Sequence, residues 1–288
     1  MNIRKFLAVI LALTFALCSF SVMAEETVSV PEEEASVETD ALAASADEQP
    51  SVDPKATPRI GIISAMSSEK KYLLEQSEIE ETVVYGNMEY HIGTLCGKDV
   101  VITSAGVGKS FAAAGAALML DNFNITEVIF TGIAGGVGDA TKVLDIVIST
   151  DLVMHDYGDQ TNDGFVWDAS WTEDGYIPAD TALCAKTYAA ALGVVGKENV
   201  HLGTIATGDQ FIASEIYVAE LQNKFNAIAC EMEGCAVALI CHNNDVPFVV
   251  IRAMSDKADG KANSSIENFG ATAADNSGKI VCALLDLL

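Results

Sequence analysis

Two carboxylates stand one residue apart in the apolar run "IACEMEGCAV": Glu231 and Glu233, with Met232 between them. An unpaired carboxylate buried among such neighbours is costly, so it must be neutralised, paired, or kept for a ligand. Two further acids close apolar runs. Glu69 follows "IGIISAMSS", and Asp256 follows "FVVIRAMS" with Arg252 four residues before it. Carboxylates gathered in a dry cleft have the chemistry of general acids, bases and cation stabilisers, because burial and like charge move their pKa values toward neutrality. Taken singly, each is equally well explained as a helix cap or a surface ion pair. Taken together, on three separate strand ends, they read as a site. If "ACEME" is extended, Glu231 and Glu233 share a face; if a helix begins at Glu233, they diverge.

Two glycine-bearing stretches invite a phosphate reading. "TSAGVGKS", residues 103–110, follows an apolar run, opens a helical one, and nearly spells GxxxxGK(S/T), but Thr103 stands where the first glycine is required. "TGIAGGVG", residues 131–138, misses the G-x-G-x-x-G spacing of a dinucleotide site. Neither supports nucleotide triphosphate or dinucleotide binding. No cofactor is expected, and no metal-ligating set or CxxC pair is visible.

The elements that must position these acids follow from periodicity. Apolar, β-rich runs ("RIGIISAM", "DVVITSAG", "EVIFTGIAGG", "DIVISTDLVMHD", "HLGTIATGD", "FNAIACEME", "FVVIRAMSD") alternate with helical stretches. The helices are placed from about Ser67, over "KSFAAAGAALMLDNF", near residues 180–192, over "GCAVALICHN", and at the C-terminus. Uninterrupted Val/Ile runs between helices indicate strands buried on both faces. The fold class is therefore α/β: three-layer α/β/α with a central mixed, largely parallel sheet. Ligands of such folds collect beyond the carboxyl ends of strands, where Glu69, Glu231, Glu233 and Asp256 stand.

Composition bounds the partners. The 288 residues are 50% hydrophobic and 20% charged, ordinary for a globular core, and the net charge of -25 disfavours a nucleic-acid backbone as partner. Residues 1–24 combine Arg4 and Lys5, an apolar run and the small residues of a cleavage site, so they read as a secretory signal rather than an uncleaved anchor. Residues 25–58, rich in Glu, Ala, Ser, Asp and Pro, read as a disordered acidic tether. The globular domain then spans 59–288, with no later membrane span, and the expected location is exported: secreted, periplasmic or cell-surface. Beyond Cys18, the cysteines at 96, 184, 230, 235, 241 and 282 are scattered among apolar neighbours and read as six core thiols.

"IGIISAMSSE", "SAGVGK", "TGIAGG", "TGDQFI", "EMEG" and "VPFVVIRAMSD" occur in the order and spacing of the methylthioadenosine/S-adenosylhomocysteine nucleosidases. The chain resembles that branch of the nucleoside phosphorylase and hydrolase superfamily over nearly all of residues 59–288. The resemblance implies a purine nucleoside as the small-molecule partner and hydrolysis of its N-glycosidic bond. It implies that Asp256 donates a proton toward purine N7, that Glu69 activates water, and that Glu233 holds the ribose hydroxyls. Arg252 would position Glu69 or the water. Phe211 would stack on the purine, Ile212 would read its edge and Met232 would lie against the sugar, with Glu231, Ala65 and Ser255 completing the substrate-binding set. Relatives of this kind also imply a homodimer.

Phosphorolysis is the alternative reaction, and a non-catalytic nucleoside-binding or storage protein is the alternative class. A phosphate pocket is usually built with arginines, and the chain has only Arg4, Arg59 and Arg252. Water is the expected nucleophile. The sequence departs from the resembled family at residues 155–178, "HDYGDQTNDGFVWDASWTEDGYIP". Its aromatics, Tyr157, Phe165, Trp167, Trp171 and Tyr176, are expected to form an apolar pocket for a 5′ substituent, with a dimer contact or a surface loop as the alternatives.

Overall fold

The Val/Ile runs become the buried middle of a mixed sheet. The computed structural model describes residues 55–288, so the expected signal and nearly all of the tether lie outside the described residues. The first strand, β1 (Pro58–Ser64), already takes in the last residue assigned to the tether. It lies parallel to both β4 (Lys98–Ser104) and β5 (Asn124–Gly136), and β5 is parallel in turn to β12 (Phe248–Asp256). Every residue of β12 is buried, as expected of a strand covered on both faces.

Beyond β12 the sheet continues antiparallel into β6 (Ile146–Met154), then parallel into β10 (Val200–Thr207) and β11 (Ala227–Glu231). The short β9 (Tyr176–Pro178) adds antiparallel to β6. Gly135 and Gly136, the last residues of the long β5, pair antiparallel with Cys230 and Ala229 of β11. The five strands β5, β12, β6, β10 and β11 thereby close into a ring. That closure carries the end of β11, with Glu231, against the end of β12, with Arg252 and Asp256.

Two groups of helices cover the sheet. On one face α6 (Ala262–Leu285) packs on β12 and β5, flanked by α1 (Ser67–Gln76) and α3 (Thr181–Val195); on the other, α2 (Lys109–Asn122) packs on α5 (Gly234–Asn243). Small residues permit the close approach. A Cβ on Gly278 of α6 would lie 2.9 Å from the ring of Tyr72 on α1. A further helix, α4 (Glu215–Phe225), packs on β10 and β11. Among the described residues no helix is long and apolar enough to cross a membrane.

Three features were not expected. A hairpin of β2 (Ser77–Tyr85) and β3 (Met88–Leu95) extends the sheet past β4 as a meander. Its edge strand carries Glu78, Glu80 and Glu81 in an exposed pattern, the charge that protects an unpaired edge and that hides the strand from hydropathy. Within residues 155–178, β7 (Gly158–Thr161) and β8 (Gly164–Trp167) form a separate two-stranded hairpin. Finally, the six core thiols reduce to four: Cys184, Cys230, Cys235 and Cys241 are buried, whereas Cys96 is exposed and Cys282 only partly covered.

Candidate active site

Glu69, Glu231, Glu233 and Arg252 meet at the carboxyl ends of the strands. Arg252, wholly buried in β12, is the hub. Its Nη2 donates to Glu231 and to Glu233 Oε2 at 3.1 Å, its Nη1 donates to the Ile133 carbonyl at 3.2 Å and lies 3.9 Å from Glu69 Oε1, and the guanidinium stacks 4.5 Å from the Phe130 ring centre. Gly132 lies where Glu69 and Arg252 cross. Any Cβ there would run into Arg252 Nη1 and Glu69 Oε1, so only glycine leaves room.

Glu69 stands in the first turn of α1, and its carboxylate folds back to accept N–H bonds from Ala65 (3.0 Å), Met66 (2.8 Å) and, across the cleft floor, Ile133 (2.9 Å). Burial raises its pKa, opposed by Arg252 and those three donors. Glu233 is the residue before α5. Its Oε1 accepts the Gly108 N–H at 2.9 Å, and burial pushes its pKa up to about 7 despite Arg252. The "SAGVGK" turn thus aims its backbone donor at a carboxylate rather than at a phosphate. Asp256, at the end of β12, accepts from the Ala258 N–H (2.7 Å) and the Ser255 hydroxyl (2.8 Å), and burial again raises its pKa.

Glu231 lines the cleft and is also bonded to the protein around it. Its carboxylate accepts from Thr207 Oγ1, Arg252, and the N–H groups of Glu233 (3.0 Å) and Gly234 (2.7 Å), so its acceptor sites are taken up by the protein. It braces the strand-to-helix turn that presents Glu233. Arg252 is within ion-pair distance of Glu69, 3.9 Å, while its direct carboxylate bonds go to Glu231 and Glu233.

A cleft of about 200 Å³ opens above this network. Of the expected residues it is lined by Ala65, Glu69, Phe211, Glu231, Met232, Glu233, Ser255 and Asp256. Ile212 joins Phe211, Met232 and Asp256 in a small adjoining recess that neither Glu69 nor Glu233 reaches. The cleft is therefore polarised, with Asp256 beside the recess of Phe211, Ile212 and Met232 at one end and Glu69 with Glu233 at the other. Met66, Val107, Ile133 and Ile266 supply apolar walls that the sequence reading missed. Val107 and Ile266 lie in a loop and on a long helix, where apolar residues ordinarily read as packing.

The aromatic segment overturns its expectation. No residue of 155–178 lines this cleft. Trp167 packs edge-on against Phe225 and Tyr176 and donates to the Met154 carbonyl at 2.8 Å, while Phe165 and Val166 of the hairpin are exposed. The aromatics build their own small cluster over α4 because Phe225 offers them a ring to cover.

A cleft with raised carboxyls at both ends can protonate a leaving group at one and hold hydroxyls and water at the other. No lysine or arginine is among the residues lining it. The family profile described as the phosphorylase superfamily matches residues 59–286. The 5′-methylthioadenosine/S-adenosylhomocysteine nucleosidase of Shewanella sediminis strain HAW-EB3 is 37% identical over 232 residues, covering 80% of this chain and 100% of the relative. The crystal structure of the corresponding Neisseria meningitidis nucleosidase in complex with methylthio-immucillin-A superposes with a TM-score of 0.74 at 38% identity, covering 80% of this chain and 99% of that one. Futalosine hydrolase of Helicobacter pylori strain 26695 gives a TM-score of 0.73 at 30% identity, covering 80% and 98%.

Proposed function

The chain belongs to the phosphorylase superfamily, among relatives of the 5′-methylthioadenosine/S-adenosylhomocysteine nucleosidase type, and from that membership we propose that it hydrolyses the N-glycosidic bond of 5′-methylthioadenosine, S-adenosylhomocysteine or a related purine nucleoside. The observation that carries the reading is the polarity of the cleft, with Asp256 at one end and Glu69 with Glu233 at the other.

The purine lies in the recess against Phe211 and Ile212. Asp256, its pKa raised by burial, donates a proton to N7 as the C1′–N9 bond breaks. The ribosyl group acquires oxocarbenium character, which the carboxylates beneath it stabilise electrostatically. Glu233 accepts from the 2′ and 3′ hydroxyls with the lone pairs that Gly108 and Arg252 leave on its two oxygens. Water attacks C1′ and passes its proton to Glu69, giving adenine and the free sugar. Glu69 keeps lone pairs for that water because its bonded partners are backbone donors on fixed elements. Phosphate is a poor rival in a cleft lined by four acidic side chains and no cationic one.

Met66, Val107, Ile133 and Ile266 give the cleft apolar walls, suited to a methylthio group. The working form is a homodimer and the location is outside the cytoplasm, both supported only by the sequence reading. The test is adenine release from methylthioadenosine, S-adenosylhomocysteine, adenosine and futalosine by the purified protein. Release from the first two, lost in Asp256→Asn, supports the proposal. Cleavage of futalosine alone moves the chain to that hydrolase, and tight binding without cleavage of any nucleoside makes it a binding protein.

A further inference from the structure

The lysine that a phosphate-binding loop would turn toward a phosphate is engaged otherwise here. Lys109 ends the "SAGVGK" turn and begins α2. Its Nζ donates to Asp156 Oδ1 at 2.5 Å and lies 3.9 Å from Asp209 Oδ2. The Lys109 and Asp156 side chains are only 19% and 12% exposed, so their charge-assisted bond is stronger than that of a solvated surface pair. The Lys109 backbone N–H donates to Asp209 Oδ1 at 2.7 Å, and the Asp209 N–H donates in turn to Asp156 Oδ2 at 2.8 Å. These bonds close a ring through three segments: the start of α2, the residues between β6 and β7, and the loop after β10.

α2 has no side-chain cap of its own, and Asp209 caps it from the other loop. Gly108 makes room for that. It sits at φ 102°, and a Cβ on it would lie 3.1 Å from Asp209 Oδ1. Lys109 itself lines neither the cleft nor its recess, but what it ties together does. One residue before it, the Gly108 N–H donates to Glu233 Oε1 at 2.9 Å, and Val107 is part of the cleft wall. Two residues after Asp209 stands Phe211, which lines both cleft and recess although half exposed. The turn is fastened at its start by Ala105 and Gly106, which donate to the Ser64 and Ala65 carbonyls. The loop after β10 is fastened at Gly208 and Ser214, which donate to the Glu231 and Ala258 carbonyls. Between those anchors, the bonds of Asp209 join the stretch carrying Phe211 to the turn carrying Val107.

We propose that Lys109 is a positioning residue for the nucleoside hydrolysis proposed for this cleft, a role that presupposes that reaction. Its ammonium offsets the repulsion of Asp156 and Asp209 and holds the two loops together. The Gly108 N–H thereby stays on Glu233, and Val107 and Phe211 keep their places in the cleft wall. Residues 155–178 serve the site through Asp156 without lining it.

The experiment compares steady-state kinetics on methylthioadenosine for the full chain and two variants of opposite charge change. Lys109→Met removes a positive charge and Asp156→Asn a negative one. Both weaken the same tie, so loss of positioning has the same sign in both, whereas a long-range effect of charge on the cleft has opposite signs. Each is expected to lower kcat/KM by roughly ten- to a hundred-fold, the scale of a small misplacement of substrate-holding groups. Most of that loss falls in KM, because Asp256 and Glu69 keep their own bonds. The double variant is expected to be about as impaired as the worse single one. Amide hydrogen exchange in peptides covering residues 105–109 is expected to be faster in both variants. Should Lys109→Met not fold, Asp156→Asn, which keeps one acceptor for the ammonium, carries the test. Kinetics within about twofold of the parent, a loss confined to kcat, effects of opposite sign, losses that add in the double variant, or unchanged exchange overturns the proposal. A parent that cleaves no nucleoside defeats the proposed function and this role with it, a result visible before any variant is made.

Discussion

Asp256 carries the sharpest consequence at the scale of single residues. Its pKa is raised from 3.8 by burial. A carboxyl whose folded pKa is raised contributes stability below its unfolded pKa, and that contribution is lost as pH rises through the folded value. At pH 7–8 the ionised carboxyl therefore opposes folding, and Asp256→Asn is expected to be at least as stable as the parent there by urea midpoint. That advantage narrows as pH falls toward 4. The same variant loses roughly a hundred- to ten-thousand-fold in kcat, the ordinary worth of a general acid, with KM changed only a few-fold. Loss of activity together with loss of stability at pH 8 would instead mark Asp256 as structural. Gly132→Ala makes the complementary case. Its Cβ must push apart Glu69 and Arg252, so it is expected to cost about 1–3 kcal/mol by urea denaturation and most of the activity. Glu69, Glu233 and Asp256 were legible in the sequence because each closes an apolar run. The bonds of Glu231 to Thr207 and Arg252 were not legible, because strand periodicity stops at the junction. The helix begins at Gly234, one residue past Glu233, and both carboxylates nevertheless converge on Arg252.

Elements built from uninterrupted Val, Ile and Ala were equally legible: β1, β4, β5, β12, α2 and α5 lie where composition places them. The β2–β3 hairpin and the β7–β8 hairpin were not. Both are edge or surface ribbons whose stability comes from pairing and turn geometry rather than from burial of a continuous apolar run. The ring closure of β5 onto β11 was also invisible, since nothing local in "TGIAGG" announces an antiparallel partner. At this scale the proposed function has the substrate's 5′ group selected by two elements far apart in sequence, the loop bearing Val107 and the helix bearing Ile266. Methylthioadenosine is expected to be cleaved with a kcat/KM roughly ten- to a hundred-fold above that of adenosine, the range for one small apolar group in a hydrophobic pocket. Ile266→Ala and Val107→Ala should each shrink that ratio by raising KM for methylthioadenosine while leaving adenosine nearly unchanged. Steady-state kinetics on both nucleosides decides it, and an unchanged ratio would place the 5′ group elsewhere.

The whole molecule presents apolar surface beside the cleft, with Val107 at its mouth 48% exposed and Phe111 on the following helix 59% exposed. Together with the exposed hairpin residues Phe165 and Val166 these are the side chains a second copy would cover. Light scattering at micromolar concentration is expected to give twice the chain mass, and Phe111→Asp should shift it toward the monomer. A monomeric parent would contradict the dimer. Across the molecule the same pattern recurs. Acids are delivered by strand ends, none of the cleft's lining residues is a cation, and Arg252 beneath them is bound to Glu231 and Glu233. Water is the nucleophile of the proposed reaction. The direct measurement is methylthioadenosine turnover in ¹⁸O-labelled water, with and without inorganic phosphate, followed by mass spectrometry of the sugar. The account predicts one ¹⁸O on the anomeric carbon of the free sugar and a rate that phosphate does not change. Sugar 1-phosphate as the product, or a rate that requires phosphate, would contradict it.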